Sequence, residues 1–286
     1  MTATVEVEAP KIVDGLSADD YHADRTSVSS SGLRALLPPG CPAQFKYDRD
    51  HPQPSRKEFD LGHAAHLLVL GEGPDLEVID YPDWRKKDAQ IQRDEAYLAG
   101  KIPLLTKDHD MVLAMAEAIR QHPVAGPLFT PGTGTAEQSI FWTDPATGVR
   151  CRVRPDWIPD CGDGRLVVVD YKTCRSADPA SLQKAVYEHG YHQQAAFYLD
   201  GVKALGLAGD QEPAFIFVFQ TKSAPYLVHL VELDFPALAL GAARNARALR
   251  VYAECERTGI WPGFNDAITY LPLPAWGEKR DQEEYS

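Results

Sequence analysis

The strongest constraint on the fold is the apolar run Leu166-Val167-Val168-Val169, which ends directly in Asp170-Tyr171-Lys172. Such a run predicts a buried strand. Because strand side chains alternate between faces, Asp170 and Lys172 are expected on one side and Tyr171 on the other. Charge is costly to bury unless it is paired or binds a metal. A buried strand that ends in this way therefore needs a partner for its charges.

A second carboxylate, Asp156, follows Arg154-Pro155 at the end of another strand-like segment, fourteen residues before Asp170. Two carboxylates and a lysine can hold a divalent cation and a water molecule near a phosphodiester. The simpler alternative is a surface ion pair between Asp170 and Lys172 on an edge strand, with Pro155-Asp156 as an ordinary turn. The residues alone leave both interpretations open.

The remaining pattern predicts an α/β fold with a helical N-terminal region. Residues 1–14 are expected to be a flexible leader, 15–130 helical, 131–270 the core, and 271–286 a charged, frayed tail. In the N-terminal region, helices are predicted after Ser29-Ser30-Ser31 and over 59–70 and 107–122, with a mobile loop within 71–103. In the core, strands are predicted over 138–142, 149–157, 166–171, 214–220 and 226–233, and helices over 178–189, 191–205 and 235–257.

Composition limits the class of protein. The net charge of −12 argues against a uniformly basic surface. No apolar stretch is long enough to predict a transmembrane helix, and residues 1–10 lack the apolar core of a signal peptide, so we expect a cytoplasmic protein without membrane association. The five cysteines form no C-x-x-C pair, which argues against a zinc ribbon.

Basic residues are concentrated near the central strands. Arg150, Arg152 and Arg154 alternate, so they share one strand face that would suit phosphates. The alternative is a solvated face balanced by Glu137. Charge alone does not decide between them.

Two helical segments carry further candidates. His66 lies among leucines on the predicted helix 59–70, where it is either a core histidine or a neutral imidazole ligand. Gln194 and Tyr198 are spaced i,i+4, so they can present an amide and a phenol to one point. Exposure of both on an amphipathic helix is the alternative.

Taken in order, these stretches resemble the PD-(D/E)XK nuclease superfamily, in its RecB-like branch. The similarity is closest to the nuclease domain of RecE (exodeoxyribonuclease VIII) and its phage relatives. It is carried by Ser29-Ser30-Ser31-Gly32-Leu33, Leu61-Gly62-His63-Ala64-Ala65-His66, Glu137-Gln138-Ser139, Arg152-Val153-Arg154-Pro155-Asp156-Trp157, Asp170-Tyr171-Lys172-Thr173 and 191–198. The resemblance implies a restriction-endonuclease-like core with a mixed central sheet flanked by helices.

The resemblance also implies roles at the matching positions. Catalytic roles fall to Asp156, Asp170, Lys172, Gln194 and Tyr198, metal binding to His66, Asp156, Asp170 and Tyr171, DNA contacts to Arg150, Arg152 and Arg154, and a further carboxylate to Glu137. Oxygen ligands with a single imidazole suit Mg²⁺ or Mn²⁺ rather than zinc. Lys172 would orient or deprotonate the attacking water.

The implied activity is hydrolysis of linear duplex DNA from its ends, 5′ to 3′, in recombination or phage DNA metabolism. RecE-like nucleases are toroidal and work with a single-strand annealing protein, so the resemblance implies a homo-oligomer, as a tetramer, and such a partner. Two alternatives remain: a non-catalytic DNA-binding or assembly protein on the same fold, and a structure-specific endonuclease. An iron–sulfur cluster on four cysteines is not expected, because only Cys255 follows the predicted strands of the core.

Overall fold

The computed structural model describes residues 9–52, 60–162 and 164–286. The strands are β1 Lys11–Val13, β2 Val28–Ser29, β3 Leu76–Ile79, β4 Ile102–Leu105, β5 Gly134–Ala136, β6 Ser139–Thr143, β7 Arg150–Val153, β8 Trp157–Pro159, β9 Val167–Cys174, β10 Ala214–Thr221 and β11 Val228–Glu232. The helices are α1 Ala18–Ala23, α2 Ser30–Ala35, α3 Pro42–Asp50, α4 Asp60–Leu70, α5 Lys87–Leu98, α6 Thr106–Gln121, α7 Ala125–Leu128, α8 Pro179–Glu188, α9 Tyr191–Ala204, α10 Phe235–Thr258 and α11 Ala275–Tyr285.

The main sheet has five strands in the order β11-β10-β9-β8-β5. Strands β9 and β10 are parallel from the Val167–Ala214 pair to the Cys174–Thr221 pair, and the other neighbours are antiparallel. The parallel pair is joined through α8 and α9, as a parallel connection requires. The predicted α/β fold with a mixed sheet flanked by helices is therefore confirmed.

A second sheet has the order β1-β6-β7-β2, and β3 pairs with β4 in a separate two-stranded sheet. The predicted strand 149–157 is in fact two strands, β7 and β8, which belong to different sheets. Pro155 lies in the break, where it has no N–H to offer a ladder. Asp156 consequently sits where the chain passes from one sheet to the other.

The two faces of the main sheet pack against different helices. Val168 belongs to a core cluster with Phe197 of α9 and Phe217 of β10. Val169 and Tyr171, which point the other way, belong to a second cluster with residues of α4 and α6. Burial of each of these phenylalanine side chains stabilises the folded state by roughly 1.5–3 kcal/mol. The alternation directs Asp170 and Lys172 towards the α9 side.

Several boundaries differ from the prediction. The supposed leader 1–14 includes β1, which pairs with β6, while residues 1–8 lie outside the described part. The N-terminal region also contains β2, β3 and β4. The segment 71–103, which was predicted to contain a mobile loop, holds β3 and α5 and reaches β4, whose buried residues pack against α4 and α6. The tail 271–286 contains helix α11. Phe59, the predicted start of the second helix, lies outside the described residues.

None of the helices in the described ranges combines the length and the apolar character that crossing a membrane requires.

Candidate active site

Strand β9 places a carboxylate and an ammonium side by side. Asp170 is 1% exposed, and its Oδ2 lies 2.5 Å from the Nζ of Lys172. Burial by itself would lower the pKa of Lys172, but the negative charges of Asp170 and Asp156 outweigh it and raise that pKa. Lys172 is therefore a protonated cation in the metal-free protein, and it neutralises part of the charge of the carboxylates.

The second oxygen of Asp170 is held by helix α9. The Gln194 Nε2 donates to Asp170 Oδ1 at 2.6 Å. The other oxygen, Oδ2, is paired with the ammonium group of Lys172 and has no second partner among the described residues. A buried carboxylate oxygen with free lone pairs is a suitable ligand for a cation.

Asp156 is fixed to the same strand through the backbone. Its Oδ2 accepts a hydrogen bond of 2.8 Å from the Tyr171 N–H. Burial, followed by repulsion from Asp170, raises the pKa of Asp156 well above its usual range, although Lys172 acts in the opposite direction. A buried carboxyl group whose proton affinity is raised by a neighbouring carboxylate is a common arrangement where a divalent cation binds.

Helix α4 adds an imidazole. The Nδ1 of His66 lies 3.8 Å from Asp156 Oδ2, and its ring meets the ring of Tyr171 edge-on with centroids 5.2 Å apart. Burial, with a further contribution from Lys172, lowers the pKa of His66 to about 4. The ring is therefore neutral at pH 7, which is the form that binds metals.

Glu137 completes a group of three possible ligands. Atoms of His66, Glu137 and Asp156 lie within 4.8 Å of one another. Glu137 has a φ of 51°, a left-handed conformation, and its Oε2 lies 2.5 Å from Arg154 Nε. Burial raises the pKa of Glu137 despite that arginine. Carboxylate oxygens with one neutral imidazole fit Mg²⁺ or Mn²⁺. Asp170 is not one of these three residues. It contacts Lys172 and Gln194, which line the cavity beside the site.

Tyr171 takes part only through its backbone. Its phenol donates to Gln220 Oε1 at 2.5 Å and is fully buried. The predicted metal-binding role of Tyr171 therefore cannot involve its side chain, because strand alternation turns that side chain away from Asp170.

A cavity of about 710 Å³ opens over Lys172 and gives the site access to solvent. Its lining includes His66, Lys172, Gln194 and Tyr198, together with the Ser29-Ser30-Ser31 segment. Burial raises the pKa of Tyr198 well above its usual value, so its phenol stays protonated. The structure thus brings the predicted amide and phenol to the same cavity as the lysine.

Arg34 on α2 is a candidate that the sequence did not single out. It lines this cavity, and its buried Nη1 has no hydrogen-bond partner among the described residues. Burial lowers the pKa of Arg34. The Arg34 side chain packs against Gly190, where the Cβ of any other residue would lie only 2.7 Å from Arg34 Cδ. The only signal in the sequence was its place four residues after Ser30, on the helix that Ser29 caps.

Two of the three arginines predicted to contact DNA bind groups inside the protein in this structure. Arg152 is 6% exposed and donates to the Ser27 carbonyl at 2.6 Å. Arg154 contacts Glu137 and donates to the Leu16 carbonyl at 2.8 Å. Alternation correctly placed these arginines on one face, but that face is covered by the N-terminal segment. Arg150 is partly exposed and lies over the ring of Phe141.

Residues 29–274 match the model of a family described as a PDDEXK-like domain of unknown function (DUF3799). A crystal structure from Eubacterium rectale, provisionally described as that of an exonuclease, is similar to 92% of this chain and 97% of its own, with a TM-score of 0.58 and 12% identity. At that identity the likeness shows a shared fold. A second structure, SSO0001, covers 83% of this chain and 78% of its own with a TM-score of only 0.36 and 14% identity, which is too weak to support an argument. No curated protein matches the chain significantly in sequence.

Proposed function

The chain belongs to the family of PDDEXK-like domains, and on this premise we propose that it is a metal-dependent exonuclease that hydrolyses DNA from the ends of linear duplexes. The observation that carries the proposal is the group formed by Asp156, Asp170 and Lys172, with His66 beside it, at the base of an open cavity. The likeness to the Eubacterium rectale protein is consistent with nuclease chemistry.

His66, Glu137 and Asp156 would hold a Mg²⁺ or Mn²⁺ ion, with Asp170 adjacent. When bound, such an ion polarises a phosphate oxygen and lowers the pKa of a coordinated water. The residues around it supply positioning, which is the larger part of catalysis in phosphodiester hydrolysis. Gln194 fixes the orientation of Asp170, and the Tyr171 N–H fixes that of Asp156.

Lys172 would act as an electrostatic guide. Its raised pKa keeps it charged, so in the metal-free state it cannot serve as a base. A cation at this position can orient the attacking water and stabilise the negative charge that develops on the phosphate.

Arg34 would hold a phosphate of the bound strand. Arg34 lines the cavity, and its buried Nη1 has no hydrogen-bond partner in the described part of the chain, so a phosphate oxygen that reached this nitrogen would satisfy it. Arg152 and Arg154 donate hydrogen bonds to groups inside the protein. Arg34 and Lys172, which line the cavity, would therefore bind the phosphate there.

The finer parts of the proposal derive from the RecE resemblance. They are 5′ to 3′ polarity, a role in recombination or phage DNA metabolism, a single-strand annealing protein as partner, and a homo-oligomer with the size of a tetramer. Duplex DNA ends would be the substrate.

The test is digestion with Mg²⁺ of linear duplex DNA, labelled at either the 5′ or the 3′ end, alongside closed-circular DNA. We expect linear DNA to be consumed with early release of the 5′ label, circles to survive, and EDTA or Lys172→Ala to stop the reaction. Rapid nicking of circles would identify an endonuclease instead. DNA binding without cleavage under any divalent metal would favour a non-catalytic binding protein.

A further inference from the structure

Two cations lie side by side beyond the active site, at the carboxyl ends of the parallel strands β9 and β10. The register of this pair ends with Cys174 opposite Thr221, and the Lys222 N–H donates to the Cys174 carbonyl at 3.4 Å. Arg175 and Lys222 are therefore the next residues of two backbones that lie about 4.8 Å apart in a sheet. Both residues are exposed, and neither has an ion-pair partner among the described residues.

Cations near the opposite ends of the same two strands are neutralised. Arg165, which precedes β9, has its Nη2 3.0 Å from Glu232 Oε1, and the Nζ of Lys203 pairs with Glu212, which precedes β10. Acidic partners are abundant in this chain, which has 41 acidic residues and 29 basic ones. Two adjacent cations that lack such a partner repel each other, so their surface favours an anion from outside the chain.

The surface beside these cations is concave. A cavity of about 480 Å³ has Arg175, Ser176 and Thr221 in its lining. The acidic residue of this lining, Asp178, caps helix α8: its Oδ1 accepts from the Ser181 N–H at 3.0 Å, and its Oδ2 accepts from Ser176 Oγ at 2.5 Å. We call the two cations and this cavity the strand-end surface. The two cations outnumber the one carboxylate, so the surface is positive in a chain whose net charge is −12.

Strand β9 connects the strand-end surface to the active site. The lining of the active-site cavity extends along the strand to Thr173, and the lining of the second cavity begins at Arg175, so that only Cys174 separates them along the chain. At about 3.3 Å per residue, Arg175 lies roughly 10 Å from Lys172. A DNA strand carries a phosphate at every nucleotide, so a strand with one phosphate at Lys172 brings others within reach of Arg175 and Lys222.

We propose that Arg175 and Lys222 bind two neighbouring phosphates of the DNA strand that occupies the active site, a short distance from the phosphate at Lys172. The inference rests on the proposed function, because it extends the path of the same strand across the end of β9. Contacts to phosphates carry no sequence information, so this surface holds DNA of any sequence and fixes its position.

The test is binding of the full-length chain to labelled linear duplex DNA in EDTA, followed by fluorescence anisotropy over a range of salt concentrations. The double variant Arg175→Gln, Lys222→Gln should bind more weakly, because two phosphate contacts are lost. The log–log slope of affinity against salt should become shallower by about 1.8, which is about 0.9 for each phosphate. Each single variant should give about half of this change, and duplexes of different sequence should show the same loss.

The chain offers a matched control at the other ends of the same strands. Arg165→Gln with Lys203→Gln also removes one arginine and one lysine from exposed positions, and it should leave the salt slope unchanged. Both double variants should keep the wild-type circular dichroism spectrum, because exposed charges contribute little to stability. With Mg²⁺, the KM for linear duplex DNA should rise by on the order of 10-fold in the Arg175→Gln, Lys222→Gln protein and stay unchanged in the control.

The outcomes separate this inference from the proposed function. A wild-type chain that binds no DNA would overturn both. A wild type that binds DNA, together with a double variant that keeps the wild-type salt slope, would overturn the strand-end contact alone. An equal change in the control pair would overturn it too, since the effect would then come from net charge. A shallower slope without any cleavage would support the contact while removing the proposed enzymatic activity.

Discussion

The Nζ of Lys172 lies 2.5 Å from Oδ2 of Asp170, and Tyr171 is the one residue between them on strand β9. Strand alternation turns Tyr171 to the opposite face and leaves the two charges in contact. The pair neutralises itself in the metal-free protein, which allows Asp170 to be 1% exposed. Its second oxygen is held by Gln194, so the geometry of the carboxylate is set before any ligand arrives.

The first prediction concerns the two carboxylates. Asp156→Asn and Asp170→Asn should each lower cleavage by on the order of 100-fold or more, which corresponds to about 3 kcal/mol of lost transition-state stabilisation. Both should also weaken Mn²⁺ binding measured by calorimetry, because each removes a negative charge from the site. Asp160→Asn is the control, since the Asp160 side chain is exposed. An unchanged Mn²⁺ affinity in Asp156→Asn would contradict the assigned metal site.

The local part of this site could be predicted from the sequence. The apolar run fixed β9, and alternation placed Asp170 and Lys172 together. The approach of His66 to Asp156 depends on how α4 packs on the sheet, and no local pattern contains that information. The strand period also shows which residues share a face, but not whether solvent or protein covers that face. The sequence therefore could not show that Arg152 and Arg154 bind the N-terminal segment.

The second prediction is that Lys172→Met separates catalysis from metal binding. Cleavage should fall by on the order of 100-fold or more, because a preorganised positive charge is lost. Removing Lys172 leaves Asp170 as a buried, unpaired carboxylate, which should destabilise the metal-free protein by about 3–5 kcal/mol.

A bound cation can replace the missing charge, so Mn²⁺ should raise the melting temperature of Lys172→Met more than that of the wild type. Lys184→Met is the control, because Lys184 is 73% exposed on α8. Equal Mn²⁺ shifts in Lys172→Met and wild type would show that the cation binds elsewhere.

The third prediction concerns Gln194, which acts by orienting Asp170. Gln194→Ala should weaken metal affinity by about 10- to 100-fold, as loss of an outer hydrogen bond to a ligand does. It should also cost roughly 1–3 kcal/mol of stability, because Asp170 Oδ1 loses its donor. Calorimetry with Mn²⁺ and urea unfolding measure the two effects. Gln183→Ala, at an exposed position on α8, should change neither.

The fourth prediction is a pH dependence of stability that arises from His66. Burial lowers the pKa of His66 from 6.5 to about 4. Between these values the unfolded chain binds a proton that the folded chain does not, so the free energy of unfolding falls as the pH drops from 6.5 to 4. The contribution is at most roughly 3 kcal/mol.

Urea unfolding in EDTA at pH 7 and at pH 4.5 measures this difference. His66→Asn should lose less stability over the interval than the wild type, and His51→Asn, at an exposed position, should behave as the wild type does. An acid sensitivity unaltered by His66→Asn would place the responsible group elsewhere.

The last prediction concerns Arg34, whose buried Nη1 lacks a partner in the described part of the chain. If a DNA phosphate is its partner, Arg34→Met should weaken binding to linear duplex DNA in EDTA. The log–log slope of affinity against salt should become shallower by about 0.9, the amount for one phosphate contact. A buried polar group without a partner costs about 1–3 kcal/mol, so the same variant should be as stable as the wild type or more stable.

Weaker DNA binding without loss of stability distinguishes a ligand-binding arginine from a structural one. Arg34→Lys should restore part of the salt slope, and Arg257→Met, which removes an exposed arginine paired with Glu254, should leave the slope unchanged. A destabilised Arg34→Met protein with wild-type DNA affinity would instead assign Arg34 to the fold.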